Sequence, residues 1–233
     1  MKIAIMQPYF LPYLGYFQLI NIADKFVVYD NVQYIKRGWM NRNRYLLNNK
    51  DNYFIIPVKK FPHQQKIIKI TISKKYDREK ILRKFYNAYS KAPYFEETFK
   101  LLTDVIKFPS QNFFEYTLFS ISRICEHLNI KTKIVISSKI NYNHKLKSEN
   151  KVINICNSLN GKIYINPEGG NRIYEKENFK KFKLNLKFLH TEDYKYKQFD
   201  EKTFIPKLSI VDTLMFNSKK KVKELIDNNF VLT

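Results

Sequence analysis

Two short apolar runs, "KIAIMQP" at 2–8 and "KFVVYDNV" at 25–32, constrain the fold more than any other feature of the chain. Continuous apolar runs of this length, the second rich in β-branched residues, predict strands buried on both faces, the pattern of a parallel sheet. Between them "GYFQLINIADK" spaces Tyr16, Leu19, Ile20 and Ala23 as one face of a short helix. The unit therefore reads strand, loop, helix, strand. Such a unit places its first loop at the carboxyl end of the first strand, where open α/β sheets take their ligands. A loop made only to reverse direction would be short and built from Gly, Asn, Asp or Ser. This one carries Pro8, Pro12, Tyr9, Tyr13 and Tyr16, with no lysine between Lys2 and Lys25. Gln7, Tyr13, Gly15 and Tyr16 are accordingly expected to line a binding pocket.

The α/β rhythm breaks off and later returns. "RYLLNNKDNYFIIPVK" (44–59) reads as a hairpin with "NNKD" at its tip, and "KIIKITIS" (66–73) alternates like a half-buried strand. Three amphipathic helices are then predicted over "REKILRKFYNAYSKA", "FEETFKLLTDVIKF" and "SQNFFEYTLFSISRICEHL", the last capped by Ser110. Their aromatics read as core. "KIVISS" (133–138) is a strand; "SENKVINICNSLNG" is a helix capped by Ser148 and stopped by Gly161; "KIYINP" (162–167) is a strand, and "LNLKFLH" (184–190) alternates. "PKLSIVDTLMFNS" and "KKKVKELIDNN" close the chain as helices, with Ser209 and Asp212 read as caps of the first. The prediction is one α/β domain spanning 1–233: a mostly parallel, Rossmann-like sheet, interrupted over about 44–130 by a hairpin and helical insertion.

Charge and cysteine content narrow the setting. The formal net charge is +21, which points to nucleic acid or an anionic surface. Only seven of the 42 basic residues are arginine, however, and a sequence crowded with Lys, Asn and Ile also arises from AT-rich coding. Three of those arginines, Arg37, Arg42 and Arg44, fall within eight residues. Guanidinium forks grip phosphate or carboxylate in a planar, two-point fashion, so the cluster is a stronger signal than the total. Cys125 and Cys156 lie on apolar helical faces without CxxC spacing, and the four histidines are scattered, so reduced thiols and no metal site are expected. No window of about 18 apolar residues could span a membrane, and "MKIAIMQP" lacks the apolar region of a signal peptide. A cytoplasmic location is expected.

Three further stretches carry candidate chemistry. "YDNVQYIKRGWMNRNRYLLNN" (29–49) concentrates Asp30, Gln33, Lys36, Asn41, Arg42, Asn43 and Arg44 around the chain's single tryptophan, Trp39. Guanidinium for diphosphate, an aromatic ring for base or sugar and amides for hydroxyls are what a sugar-nucleotide site requires. "NPEGGNRIYEKENF" (166–179) sets Glu168, Gly169, Gly170 and Asn171 directly after a strand, where backbone amides can meet an anion and Glu168 can accept a proton. Asp30, Glu168 and His190 are the candidate bases.

"Tyr13-Leu14-Gly15-Tyr16" stands where nucleotidyltransferase-like folds carry H-x-G-H, and it lacks both histidines. "MQPYFLPYLGYFQLINIADKFVVYDNVQYIKRGWMNRNR", "YINPEGGNRIY" and "YKQFDEKTFIPKLSIVDTLMFNS", in that order, resemble the WbqC-like family of bacterial surface-polysaccharide clusters. The resemblance implies an enzyme of O-antigen biosynthesis that adds an amino-acyl group, glycyl among the options, to the amine of a nucleotide-linked amino sugar carried on dTDP or UDP. No tightly bound cofactor is expected; such a transfer requires an activated acyl donor, supplied by ATP with a free amino acid or by a charged tRNA. A non-catalytic RNA-binding protein and a scaffold of a glycan-assembly complex are the competing readings. The sequence leaves the oligomeric state open.

Overall fold

The computed structural model describes residues 1–200 and 204–233. Strands β1 (Lys2–Met6), β2 (Lys25–Val28), β5 (Lys133–Ile136), β6 (Ile163–Pro167) and β7 (Asn185–Thr191) run parallel, and β8 (Phe230–Leu232) closes one edge antiparallel to β7. The order across the sheet is β5-β2-β1-β6-β7-β8. The first strand is central. From it the chain builds outward through β2 and β5 on one side, then returns to build β6, β7 and β8 on the other.

Alternation along the strands shows why these apolar runs are continuous. On β1, Ile3 and Ile5 join one core cluster while Ala4 joins the other; on β2, Val27 opposes Phe26 and Val28 in the same way. Both faces are covered. Helices α5 (Ser148–Ser158) and α6 (Lys176–Lys181) close one side, while α1 (Leu14–Ile22) and α8 (Lys219–Asn228) lie on the other and pack on each other. Burial at about 25 cal/mol per Å² of apolar surface makes this two-sided packing the main source of stability.

Between β2 and β5 the chain inserts the hairpin β3 (Arg42–Leu47) and β4 (Lys50–Ile55), followed by α2 (Arg78–Tyr89), α3 (Phe95–Lys107) and α4 (Phe113–His127). The hairpin starts two residues earlier than the sequence predicts and turns on Asn48-Asn49 alone. Both asparagines adopt left-handed φ, 52° and 56°, as a tight turn matching strand twist demands. The expected strand at 66–73 is replaced by a 3-10 turn, Ile67–Lys69, and isolated bridges Gln33–Lys66, Val58–Ile72 and Thr71–Asn112. Phe85, Phe95, Phe113 and Phe114 are core, as their spacing predicts, whereas Tyr86, expected on the same face as Phe85, is exposed and packs edge-on against Phe95 and Phe99.

Several caps differ from expectation. Asn112, not Ser110, accepts the N–H of Glu115 at the start of α4; Ser110 supports it by accepting the Asn112 N–H and donating to the Glu115 carboxylate. Ser148 makes no capping bond at α5. Asn160, at φ 57°, takes the left-handed position after α5, while Gly161 serves close packing against Ile3. Ser209 caps α7 (Ile210–Phe216) by accepting the Val211 N–H, but Asp212 is no cap and lies fully buried inside the first turn. Among the described residues no helix is long and apolar enough to cross a membrane, and no group of three His, Cys, Asp or Glu could hold a metal ion.

Candidate ligand cleft at the carboxyl edge of the sheet

Because the chain leaves β1 in one direction and re-enters at β6 in the other, the loops after these neighbouring strands diverge and leave a crevice, the usual ligand position in open α/β sheets. A cleft of about 350 Å³ occupies this position. Tyr9, Pro12 and Tyr13 after β1, Glu168 and Gly169 after β6, and Leu189 and Thr191 at the end of β7 form its base. Trp39, Asn43 and Arg44 from the insertion and Lys207 before α7 form the opposite wall.

The post-β1 loop is held in a strained conformation by partners distant in sequence. Leu11, fully buried, adopts φ 44°, costly for a residue with a branched side chain. Its carbonyl accepts hydrogen bonds from Asn43 Nδ2 at 2.8 Å and Ser209 Oγ at 2.7 Å. The Ile210 N–H adds a bond to the Pro12 carbonyl at 2.8 Å. Hairpin and α7 therefore fix the residue preceding the cleft wall. Gly15 completes the arrangement from beneath: a Cβ there would come within 2.5 Å of Thr191 Oγ1 and of the Tyr13 ring. Its glycine is explained by close packing of α1 on β7.

Glu168 opens the 3-10 turn Glu168–Arg172 and presents an exposed carboxylate to the cleft. Its Oε1 lies 3.3 Å from Nδ1 of His190, whose Nε2 is 2.9 Å from Thr233 Oγ1. This carboxylate–imidazole–hydroxyl series joins two of the three candidate bases. Arg44 pairs with Asp51 at 3.0 Å and donates to the Pro206 and Lys207 carbonyls, each at 3.2 Å, which ties the hairpin to the segment before α7. Lys207 is an exposed cation on the same wall. Burial raises the phenol pKa values of Tyr9 and Tyr13, so both stay neutral hydrogen-bonding groups at physiological pH.

Of the residues singled out in the sequence, Tyr13, Trp39, Asn43, Arg44, Glu168 and Gly169 meet in this cleft, with His190 behind Glu168. Lys36, Asn41 and Arg42 line a separate groove, although the Arg42 guanidinium lies 5.3 Å from the Trp39 ring centre. Asp30 is not on the cleft; buried, it accepts bonds from Ser137 Oγ at 2.7 Å and the Ser138 N–H at 2.9 Å, and so joins the ends of β2 and β5. Gln7 lends its carbonyl to the buried Tyr16 hydroxyl at 2.8 Å, beneath the cleft. Gln33 and Asn171 are exposed away from it, and Gly170 packs against Asn166. Thr191 and Lys207 were missed by sequence reasoning. Thr191 was reachable, since it ends the strand neighbouring "YINPEGG"; Lys207 carried no distinguishing signal.

Fold and cleft define a class: an open, mostly parallel α/β protein with a cleft at the switch point of its sheet. Within that class the chain belongs to the WbqC-like protein family, whose profile matches residues 7–224. It is also 28% identical over 222 residues to the uncharacterized protein Rv1507c of Mycobacterium tuberculosis, an alignment covering 93% of each chain. No solved structure matches. Neither histidine of H-x-G-H is present, so the likeness to nucleotidyltransferases stops at the strand-loop-helix layout. The resemblance block "YKQFDEKTFIPKLSIVDTLMFNS" crosses residues 201–203, which lie outside the described residues.

Proposed function

We propose that the chain is a transferase that adds an amino-acyl group to the amine of a nucleotide-linked amino sugar in surface-polysaccharide biosynthesis. Family membership supports a biosynthetic role. The observation that carries the finer reading is the Glu168–His190 pair: a carboxylate on a cleft that also has an aromatic wall and the cation of Lys207 on the opposite side. Trp39 and Tyr9 supply flat faces for a sugar or base, and Lys207 supplies charge for phosphate.

The chemistry is a nucleophilic substitution at an activated carbonyl. The sugar nitrogen attacks the acyl carbon, a C–N bond forms, and the C–O bond to the donor breaks. The amine proton passes to Glu168 and is returned to the departing oxygen, which leaves as the ribose hydroxyl of a tRNA ester or as the phosphate of an acyl-adenylate. His190, held at its far nitrogen by Thr233, positions the carboxylate for this exchange.

Trp39 gives a direct assay, since it is the chain's only tryptophan and lies on the cleft. A dTDP- or UDP-linked amino sugar should change its fluorescence saturably. Mass spectrometry with glycine and ATP, or with charged tRNA, should show the added amino-acyl mass. Glu168→Gln should keep binding and lose turnover about 10²- to 10⁴-fold. Full activity in that variant would return the segment to a turn, and no saturable response to any nucleotide sugar would remove the reading.

A further inference from the structure

A second depression, about 630 Å³, abuts the cleft where Arg42 lies against Trp39. Lys36, Arg37, Arg42, Lys59 and Lys60 line it, with Phe61 at one side, and among the described residues no carboxylate does. Cations such as Lys107 and Arg123 are paired with acids, Glu79 and Asp104. Here five like charges surround one concavity without a balancing acid. Their mutual repulsion is a cost that an anion would relieve. Arg42 spends one N–H on the Arg37 carbonyl at 2.9 Å, while its Nε is buried without a partner.

The groove is bordered by an aromatic platform. Trp39 and Tyr53 stack at 6.2 Å with planes 27° apart, and they are 44% and 46% exposed. The Arg42 guanidinium lies 5.3 and 5.6 Å from the two ring centres. Cations along a groove with ring faces at its end are the two requirements of a single nucleic-acid strand, whose phosphates follow the charges while its bases stack. A lone phosphate would engage only part of this set, and a flat lipid surface would not enter a depression.

We infer that this groove holds a single-stranded RNA segment, with phosphates on the three lysines, Arg37 and Arg42 and a terminal base against Tyr53, so that the strand's end enters the cleft. A two-substrate transfer needs a second route to its reacting atoms, and the groove supplies one. Resting on the function proposed above, the end carries the amino-acyl group as a ribose ester. Attack by the sugar amine forms the amide, and the RNA departs with its hydroxyl free. The binding itself does not depend on that chemistry.

The test uses a fluorescein-labelled single-stranded hexaribonucleotide ending in CCA, followed by anisotropy against salt. Each single-strand phosphate contact contributes about −0.7 to the slope of log K against log salt, so five cations give about −3.5. Lys36→Ala/Lys59→Ala/Lys60→Ala, at exposed positions, should lower the slope to about −1.4. Affinity should fall at least tenfold, with the melting temperature unchanged. Calorimetric binding of the nucleotide sugar should be unaffected, so failure here and failure of the cleft reading are separable. No anisotropy change, an unchanged slope in the triple variant, or capture by phosphatidylglycerol vesicles that the RNA does not compete off would overturn the inference.

Discussion

Asp212 gives a prediction whose sign and size follow from its surroundings. The side chain is fully buried, and among the described residues no cation pairs with it. Its Oδ1 accepts from the Tyr196 hydroxyl at 2.6 Å and Gln198 Nε2 at 2.8 Å, and its Oδ2 accepts from the Tyr89 hydroxyl at 3.0 Å. Burial pushes the carboxyl up to about 6, against the pull of these three donors. The folded chain therefore holds this proton more tightly than the unfolded chain, where an aspartate titrates near 3.9. The stability this confers is complete below about pH 4 and is lost as pH rises through 6. Two pKa units correspond to about 3 kcal/mol in all, of which about 2 kcal/mol falls between about pH 4.5 and 7.5.

Asp212→Asn isolates that contribution, because it is neutral at every pH and keeps a carbonyl oxygen toward Tyr196 and Gln198. Its amide would face the Tyr89 hydroxyl, which already accepts the Leu46 N–H at 2.8 Å, so a constant penalty on the order of 1 kcal/mol is expected. Urea unfolding of both proteins across that pH range, with equal m-values, gives the difference in stability. The variant should gain on the wild type by about 2 kcal/mol from the acid to the alkaline end. A difference that stays flat with pH would refute the assignment of the buried carboxyl as a group that ionises at a cost.

Two further substitutions test the walls of the cleft. Gly15→Ala drives a methyl group into Thr191 and Tyr13 and should cost about 1–3 kcal/mol in urea unfolding while weakening the Trp39 fluorescence response to a nucleotide sugar; unchanged stability would show that α1 can retreat freely from β7. Ser209→Ala removes the cap of α7 and one of the two side-chain bonds to the Leu11 carbonyl, with an expected loss of about 1–2 kcal/mol and weaker ligand binding. Binding at wild-type strength would detach the strained loop from the cleft.

What the sequence made legible, and what it hid, divides by the range of the determining contacts. The strands β1, β2 and β6 could be read because burial on both faces leaves an unbroken apolar run, whatever covers each face. The segment 66–73 could not, because Ile67 and Ile70 are buried at the three-residue spacing of a 3-10 turn while Ile70 and Ile72 also imitate strand alternation. The three-residue β8 is too short for any period to register, and its pairing depends on β7 alone. The cleft follows the same division. Trp39, Arg44 and Glu168 stand out as chemistry that an ordinary turn does not need, whereas Lys207 reaches the wall because Arg44 draws its backbone to the hairpin.

The arginine cluster shows the limit most sharply. Arg42 and Arg44 share a face of β3, opposite Ile55 and Tyr53 in the ladder, and the sequence read them as one phosphate grip. In the fold, Arg44 is drawn toward Asp51 and the chain before α7, while Arg42 turns to the Trp39–Tyr53 stack. Trp39 thus shares the cleft with Arg44 and meets Arg42 of the neighbouring groove. That ring divides a single predicted site between a cleft and a groove.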